Sequence, residues 1–139
     1  MNSAEKLNEF ETRPGLTYAT HDSVALQGDL YRPKGAGPFP VLVAVHGGGW
    51  VQGARSVYQY WGPYLATRGI ALFAISYRFA KTGQKTFPHA VHDVLAGVRF
   101  VRGNFKELKL DAERVGLMGA SAGAHLAALA ALGGSAALF

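Results

Sequence analysis

A short apolar run followed by a tight glycine motif constrains this chain more than any other feature. Residues 115–118 are apolar, Gly-Ala-Ser-Ala-Gly follows at 119–123, and an alanine-rich segment comes next. A strand, a sharp turn and a helix in that order are what a nucleophile elbow requires, with a serine at the apex of the turn. Gly119 and Gly123 lack a Cβ, which lets strand and helix approach closely around a strained backbone. The pattern predicts that Ser121 presents its hydroxyl group to solvent or substrate.

Composition favours a single domain over residues 1–139. The chain is 49% hydrophobic and 17% charged, which is typical of one globular unit with a real core. A net charge of +5 arises from 14 basic and 9 acidic residues without a basic run, so nucleic acid is not an expected partner. The absence of cysteine excludes disulfides and thiolate chemistry.

The two ends of the sequence bear on location. The first ten residues mix polar and charged side chains and have no apolar signal core, which favours a cytoplasmic protein. Residues 122–139 carry no charge if His125 is neutral, and 18 residues touch the lower limit for a membrane span. Their glycines favour a buried helix instead, so no membrane association is expected.

The strand patterns predict a mixed sheet. Partial two-residue alternation between residues 16 and 31 predicts an antiparallel hairpin. Residues 41–45 and 70–75 are continuously apolar, as strands buried on both faces of a parallel sheet must be. A turn at 111–114 should precede the strand at 115–118.

Helical patterns alternate with these strands. Residues 57–68 favour a helix that Gly62-Pro63 interrupts, since proline removes a hydrogen bond, so a kink or a late start at Pro63 is expected. Apolar residues recur at spacings of three and four over 90–102, which predicts a helix packed on the sheet. The alternation over 41–132 predicts an α/β fold with right-handed crossovers.

A glycine loop supplies a second chemical feature. His-Gly-Gly-Gly-Trp begins at His46, directly after the first buried strand. An oxyanion needs preorganised N–H groups about 3 Å away, and glycine lets backbone approach a substrate that closely. We expect Gly48 and Gly49 to donate two such groups and Ala122, after the serine, to donate a third. Gly47 belongs to the same loop, which His46 should pin by hydrogen bonding.

Four motifs in this order resemble the α/β-hydrolase superfamily, and most nearly its hormone-sensitive-lipase-like and feruloyl-esterase-like carboxylesterases. The resemblance runs from about residue 41 to 132, and the hairpin fits the first two strands of that fold. It implies the N-terminal half of an α/β-hydrolase domain, a Ser–Asp–His triad, small ester or acyl substrates, and no metal or organic cofactor. The motifs are the glycine loop, Ser76-Tyr77-Arg78, Phe87-Pro88 ahead of the helix with Asp93, and the serine turn.

The sequence departs from that family after the serine. In this fold an Asp or Glu and then a His follow the nucleophile along the chain. The 18 residues after Ser121 contain no Asp or Glu and a single histidine, His125. His125 lies on a helix leading away from the turn, and His46 more plausibly pins its loop, so both are weak candidates for the base. The expected result is a nucleophile with oxyanion donors and an incomplete triad.

Three functional hypotheses stay open. The first is a serine carboxylesterase whose acid and base are supplied from outside this sequence. The second is a catalytically inactive hydrolase fragment with a structural or self-associating role. The third is a weak esterase that uses Ser121 with an improvised base.

The family's strand order also predicts association. It places a later strand beside residues 115–118, so one side of this strand should be an unpaired apolar edge. Such edges recruit other chains. We therefore expect a homo-oligomer or a complementary C-terminal hydrolase chain.

Other residues have structural and functional readings. Arg78 and Asp93 are expected to form an ion pair, with independent solvated charges as the alternative. Trp50 and Phe87 either line an acyl pocket or cover the core. Packing is also the default for four aromatic residues, with an aromatic-ester or carbohydrate-ester platform as the alternative: Tyr58, Tyr60, Trp61 and Tyr64.

Histidines do not predict a metal site. His89 and His92 lack a third clustered partner. They and His21 are expected to be surface or packing residues.

Overall fold

Five strands and four α-helices make up the part of the chain, residues 6–133, that the computed structural model describes. The sheet has the order β1-β2-β4-β3-β5. The strands are β1 (Phe10–His21), β2 (Val24–Pro33), β3 (Phe39–Val45), β4 (Ala71–Ile75) and β5 (Leu110–Gly119). The helices are α1 (Trp61–Ala66), α2 (His89–Gly103), α3 (Phe105–Leu108) and α4 (Ala122–Gly133), and a 3₁₀ turn, Arg55–Gln59, precedes α1.

The sheet begins with a hairpin and continues with parallel strands. β1 pairs with β2 and β2 with β4, both antiparallel, whereas β3 runs parallel to β4 and β5. All five residues of β4 are buried, as the apolar run predicts for a central strand covered on both faces. The α/β fold class expected from the sequence, a hairpin followed by parallel strands with crossover helices, is confirmed. The hairpin extends beyond residues 16–31 at both ends.

The first helical segment is shorter than the helix predicted over 57–68, for which a kink or a late start at Pro63 is expected. A 3₁₀ turn ends at Gln59, and α1 begins at Trp61 and ends at Ala66. Pro63 therefore lies in the first turn of α1, where the missing N–H group would have no intrahelical partner anyway. The expected late start is correct in kind, but α1 begins two residues before the proline.

Residues 111–114 are part of β5, so the turn predicted there is wrong. Phe39 pairs with Leu110 and Val41 with Val115, so four β5 residues lie opposite a single residue of β3. That residue is Pro40, which has no N–H group for a ladder bond, and β5 bulges there. Within the bulge, Asp111 nevertheless accepts the local hydrogen bonds that are typical of a turn. Arg114, and then the Glu113 backbone N–H, hydrogen-bond the Asp111 carboxylate and lower its pKa.

Helices cover the sheet unequally. α2 and α4 pack on one face, with Val91, Val94 and Leu126 in the main core. α1 packs on the other face against β2 and β4, around Tyr31 and Leu72. β5 is an outer strand of the described sheet, with β3 as its one strand partner there. Within residues 6–133, no helix combines the length and apolar character needed to cross a bilayer.

Candidate active site

Ser121 lies at the apex of a tight turn between β5 and α4. Its φ is 52°, in the left-handed region that non-glycine residues rarely adopt, and its side chain is exposed. A Cβ added to Gly119 would lie 2.4 Å from the carbonyl oxygen of Gly123, and one added to Gly123 would lie 2.0 Å from that of Val45. Both glycines are therefore required by close backbone packing. The N–H group of Ala120 donates to the Val45 carbonyl at 3.3 Å, which ties the turn to the end of β3.

The glycine loop adjoins the serine turn. A Cβ added to Gly47 would lie 3.2 Å from the Cβ of Ser121. Gly48 and Gly49 have φ values of 135° and 62°, and the Gly48 carbonyl accepts hydrogen bonds from the N–H groups of Val51 and Gln52 at 3.2 and 3.1 Å. Within residues 6–133, neither the Gly48 nor the Gly49 N–H group donates to an acceptor. The loop that adjoins the serine turn thus carries two backbone N–H groups without an acceptor among the described residues.

Two buried tyrosines fix the end of β3 from which this loop starts. The hydroxyl of Tyr58 donates to the Val45 carbonyl at 3.0 Å, and that of Tyr77 donates to the His46 carbonyl at 2.9 Å. Burial raises the pKa of both phenols, so both remain neutral donors. Sequence reasoning missed both positioning roles. Tyr77 lies in a motif noted above, whereas nothing in the sequence distinguishes Tyr58 from its aromatic neighbours.

His46 is buried inside the loop. Its Nδ1 lies 2.6 Å from the Gly47 carbonyl oxygen, and its ring stacks on Tyr77 with centroids 4.6 Å apart. The carbonyl can only accept, so Nδ1 is the donor in this contact. Nε2 has no hydrogen-bond partner in the described part of the chain. The contacts of the His46 side chain therefore hold the glycine loop in place.

His125 lies one helical turn beyond Ser121, with its ring against Trp50. The centroids are 5.4 Å apart and the rings nearly perpendicular. The His125 N–H group donates to the Ser121 carbonyl at 3.1 Å, whereas the Ser121 hydroxyl has no hydrogen bond to any residue in the range 6–133. Trp50 is itself fixed, because its carbonyl accepts from the Ala80 N–H group at 2.8 Å. No described histidine is paired with the serine hydroxyl.

Asp93 forms the expected ion pair with Arg78. The carboxylate is fully buried, and its Oδ1 lies 2.8 Å from a terminal guanidinium nitrogen while Oδ2 accepts from the Arg78 N–H group at 2.8 Å. His21, the last residue of β1, has its Nε2 3.5 Å from Oδ1, a contact that sequence reasoning missed because it joins segments far apart in the chain. This cluster joins the hairpin turn, the end of β4 and α2.

The remaining aromatic residues lie on the surface. Tyr60, Trp61 and Tyr64 are exposed and contact one another, and the Arg68 guanidinium lies 3.7 Å over the Tyr64 ring. Phe87 is also exposed. The packing role predicted for the aromatic cluster thus holds for Tyr58 alone. Among the described residues, no group of three His, Cys, Asp or Glu side chains is arranged to hold a metal.

Solved structures with the same architecture define the class of protein. A hyperthermophilic esterase from the archaeon Pyrobaculum calidifontis matches with a TM-score of 0.74 and 28% identity, over 93% of this chain and 40% of its own. Thermogutta terrifontis esterase 2 phosphorylated by paraoxon matches with a TM-score of 0.73 and 28% identity, over 93% of this chain and 50% of its own. The fold of this chain matches the N-terminal part of esterases of the α/β-hydrolase superfamily.

The family follows from the sequence comparison. The BD-FAE family model matches residues 28–139, and the chain belongs to that family. A probable isoprenylcysteine alpha-carbonyl methylesterase of Arabidopsis thaliana is 40% identical over 101 residues, which are 72% of this chain and 21% of the relative. The chain therefore spans about a fifth to a quarter of the length of the curated relatives it matches.

Proposed function

We propose that this chain carries the nucleophile and the oxyanion hole of a serine carboxylesterase. One observation carries the proposal: Ser121 is exposed in a left-handed conformation beside a glycine loop with two unengaged N–H groups. A strained serine turn next to preorganised donors is the arrangement that acyl transfer needs.

The proposed reaction is acyl transfer to Ser121. Its Oγ forms a bond to the ester carbon while the carbonyl electron pair moves to oxygen. That oxyanion is held by the N–H groups of Gly48, Gly49 and Ala122, the last of which is the first residue of α4 and lacks an intrahelical acceptor. The Ser121 hydroxyl proton passes through the general base to the alcohol oxygen as the oxyanion collapses and the bond from the acyl carbon to that oxygen breaks. Water then attacks the acyl carbon, a proton returns to Ser121 Oγ, and the acid is released. These steps use protein groups alone, so neither a metal nor an organic cofactor is proposed.

The general base is the part of the mechanism that these residues do not supply. Residues 122–139 contain no Asp or Glu, and the His125 ring packs on Trp50. We propose that the triad acid and base come from polypeptide outside the 139 residues, and that the substrate is a small ester. The matched relative is named for a methyl ester of isoprenylcysteine, which supports an ester but does not select one for this chain.

Association and location are further parts of the proposal. The open side of β5 offers unpaired backbone groups to another strand, from a second copy or from a complementary hydrolase chain. The proposed location is the cytoplasm.

An organophosphate tests the role of the serine directly. With imidazole added to the buffer as the missing base, paraoxon should transfer its diethylphosphoryl group to Ser121 Oγ, release 4-nitrophenolate and raise the mass of the intact chain. Ser121→Ala should abolish the mass increase, and Ser56→Ala, which alters another exposed serine, should keep it. A folded wild-type chain that is not modified would support the alternative, an inactive fragment with a structural role.

Slow ester turnover is a weaker test. Oxyanion donors and binding alone leave about 10³–10⁴-fold catalysis over water after the triad is removed. Covalent modification instead requires a reactive hydroxyl at one residue.

A further inference from the structure

A cavity lies between the β1–β2 turn and the connection from β4 to α2. Its volume is about 440 Å³. Apolar side chains from both segments line it, among them Val24, Leu26, Tyr77 and Phe79. The cavity is large enough for a small organic molecule with an apolar body.

This cavity is separate from the serine turn. It lies beside the hairpin, whereas Ser121 follows β5, the outer strand on the opposite side of the sheet. β4 and β3 lie between β2 and β5, and neighbouring strands are about 4.8 Å apart, so roughly 14 Å separates the two strands. Neither Ser121 nor any residue of the glycine loop, 46–50, is among the lining residues described.

One wall of the cavity is an ordered loop. The backbones of Lys81 and Gln84 exchange two hydrogen bonds of 2.8 Å, which close a small hairpin around Gly83. The Thr86 hydroxyl donates to the Arg78 carbonyl, and the Ala80 N–H group donates to Trp50. These hydrogen bonds fix the shape of the wall.

Positive charge dominates the rim. Lys81 and Lys85 line the cavity, and within residues 6–133 neither ammonium group lies within ion-pair distance of a carboxylate. Arg78 is neutralised by Asp93, and His21 and His89 add imidazole donors. Asp22 is the single carboxylate among the lining residues described.

We propose that this cavity binds a small amphipathic anion, a carboxylate attached to an aromatic or aliphatic body. The body would pack on Tyr77 and Phe79, and the carboxylate would pair with Lys81 and Lys85. A neutral ligand would leave both ammonium groups unpaired, and an inorganic anion would leave the apolar floor exposed. The combination selects a molecule with both parts.

Calorimetric titration of the full chain with 3-phenylpropionate tests the proposal. Its neutral amide, 3-phenylpropionamide, should bind about threefold to fivefold more weakly, because ion pairs with solvent-exposed lysines such as Lys81 and Lys85 are weak. Lys81→Gln with Lys85→Gln should weaken carboxylate binding by the same factor. Arg99→Gln with Arg102→Gln removes the same charge from the exposed side of α2 and should leave binding unchanged.

A substitution that should strengthen binding separates an effect on the site from a failure of the variant to fold. Asp22 has a φ of 48°, which asparagine adopts readily, so Asp22→Asn removes the negative charge without backbone strain. Carboxylate binding should become about threefold tighter as that repulsion is lost. Failure of wild type to bind, equal affinity for acid and amide, or equal affinity in the double-lysine variant would each overturn the proposal. Because Ser121 lies elsewhere, its reactivity toward paraoxon is decided separately.

Discussion

Ser121 keeps its left-handed conformation because its neighbours lack side chains where backbone segments cross. Gly123 is the most tightly confined of them, with the Val45 carbonyl 2.0 Å from where a Cβ would be placed. The position is buried between α4 and β3, so the clash has no flexible side chain to relieve it. The serine turn thus depends on backbone contact more than on hydrogen bonds of the serine itself.

Gly123→Ala should lower the free energy of unfolding by about 3 kcal/mol through overpacking. Gly103→Ala is the matched control, since a Cβ there meets nothing within 4 Å. It should raise the free energy of unfolding by about 0.5 kcal/mol by restricting the unfolded chain. Urea denaturation measures both, and equal effects would contradict the packing argument.

The two donor glycines differ in the same way. A Cβ on Gly48 would lie 1.9 Å from the Gln52 carbonyl, whereas one on Gly49 meets nothing within 4 Å. Gly48→Ala should therefore distort the loop and reduce the paraoxon reaction rate at least about tenfold, as expected when a donor is lost. Gly49→Ala carries only the strain of its positive φ and should react faster than Gly48→Ala. The reverse order of rates would show that the Gly48 turn does not set the donor geometry.

The buried carboxylate of Asp93 holds three segments of the fold together. Asp93 lies on α2, and its carboxylate contacts Arg78, which follows β4, and His21, the last residue of β1. Removing one partner of a buried pair leaves the other uncompensated.

Asp93→Asn should lower the free energy of unfolding by about 3–5 kcal/mol. Asp111→Asn, which removes an exposed carboxylate paired with Arg114, should have little effect at neutral pH. Thermal unfolding of both variants compares a buried pair with an exposed one. A small change for Asp93→Asn would mean that Arg78 and His21 reach solvent instead.

Elements with a strong local pattern were predictable from the sequence, whereas those shaped by tertiary contacts were not. The runs at 41–45 and 70–75 are apolar because both faces are covered, so composition alone indicated buried strands. Residues 111–114 resemble a turn locally, and only the pairing of β5 with Phe39 and Val41 makes them strand. The adjacency of the glycine loop and Ser121 followed from motif order. The His21 contact and the two positioning tyrosines depend on packing that no motif records.

We expect the open side of β5 to be the surface through which the chain associates. Met118, on the α1 face of that strand, is only partly buried. Met118→Lys should reduce self-association by placing a charge at the edge. Val24→Lys, at an exposed position on the hairpin, is the control that should not. Light scattering across a concentration series measures the difference, and a wild-type monomer at every concentration would contradict this role for the edge.

Buried tyrosines make the whole fold sensitive to alkali. Burial, and secondarily the Asp93 charge, raise the pKa of Tyr18 well above its ordinary value of 10.0. The folded phenol keeps its proton while the unfolded one loses it, so this stability is complete below pH 10.0 and is lost as pH rises beyond it. The loss should approach about 1.4 kcal/mol per pH unit for this residue.

Tyr18→Phe should be less stable than wild type at neutral pH, because the Ser76 carbonyl loses its donor, yet should lose stability less steeply above pH 10.0. Urea midpoints at neutral and alkaline pH measure both slopes. Tyr60→Phe alters an exposed ring and should keep the wild-type slope, and equal slopes for Tyr18→Phe and wild type would contradict the assignment.

The hydrogen bond from Ala120 to Val45 continues the pairing of β5 with β3 into the serine turn, and this has a mechanical consequence. The hydroxyl of Ser121 travels with the outermost strand, whereas the glycine loop travels with an interior one. Loss of the pairing between β3 and β5 at this end would move Ser121 away from the glycine loop and lower the reactivity of its hydroxyl. A strand bound to the open side of β5 would therefore also raise the reactivity of Ser121, because it would hold β5 in place.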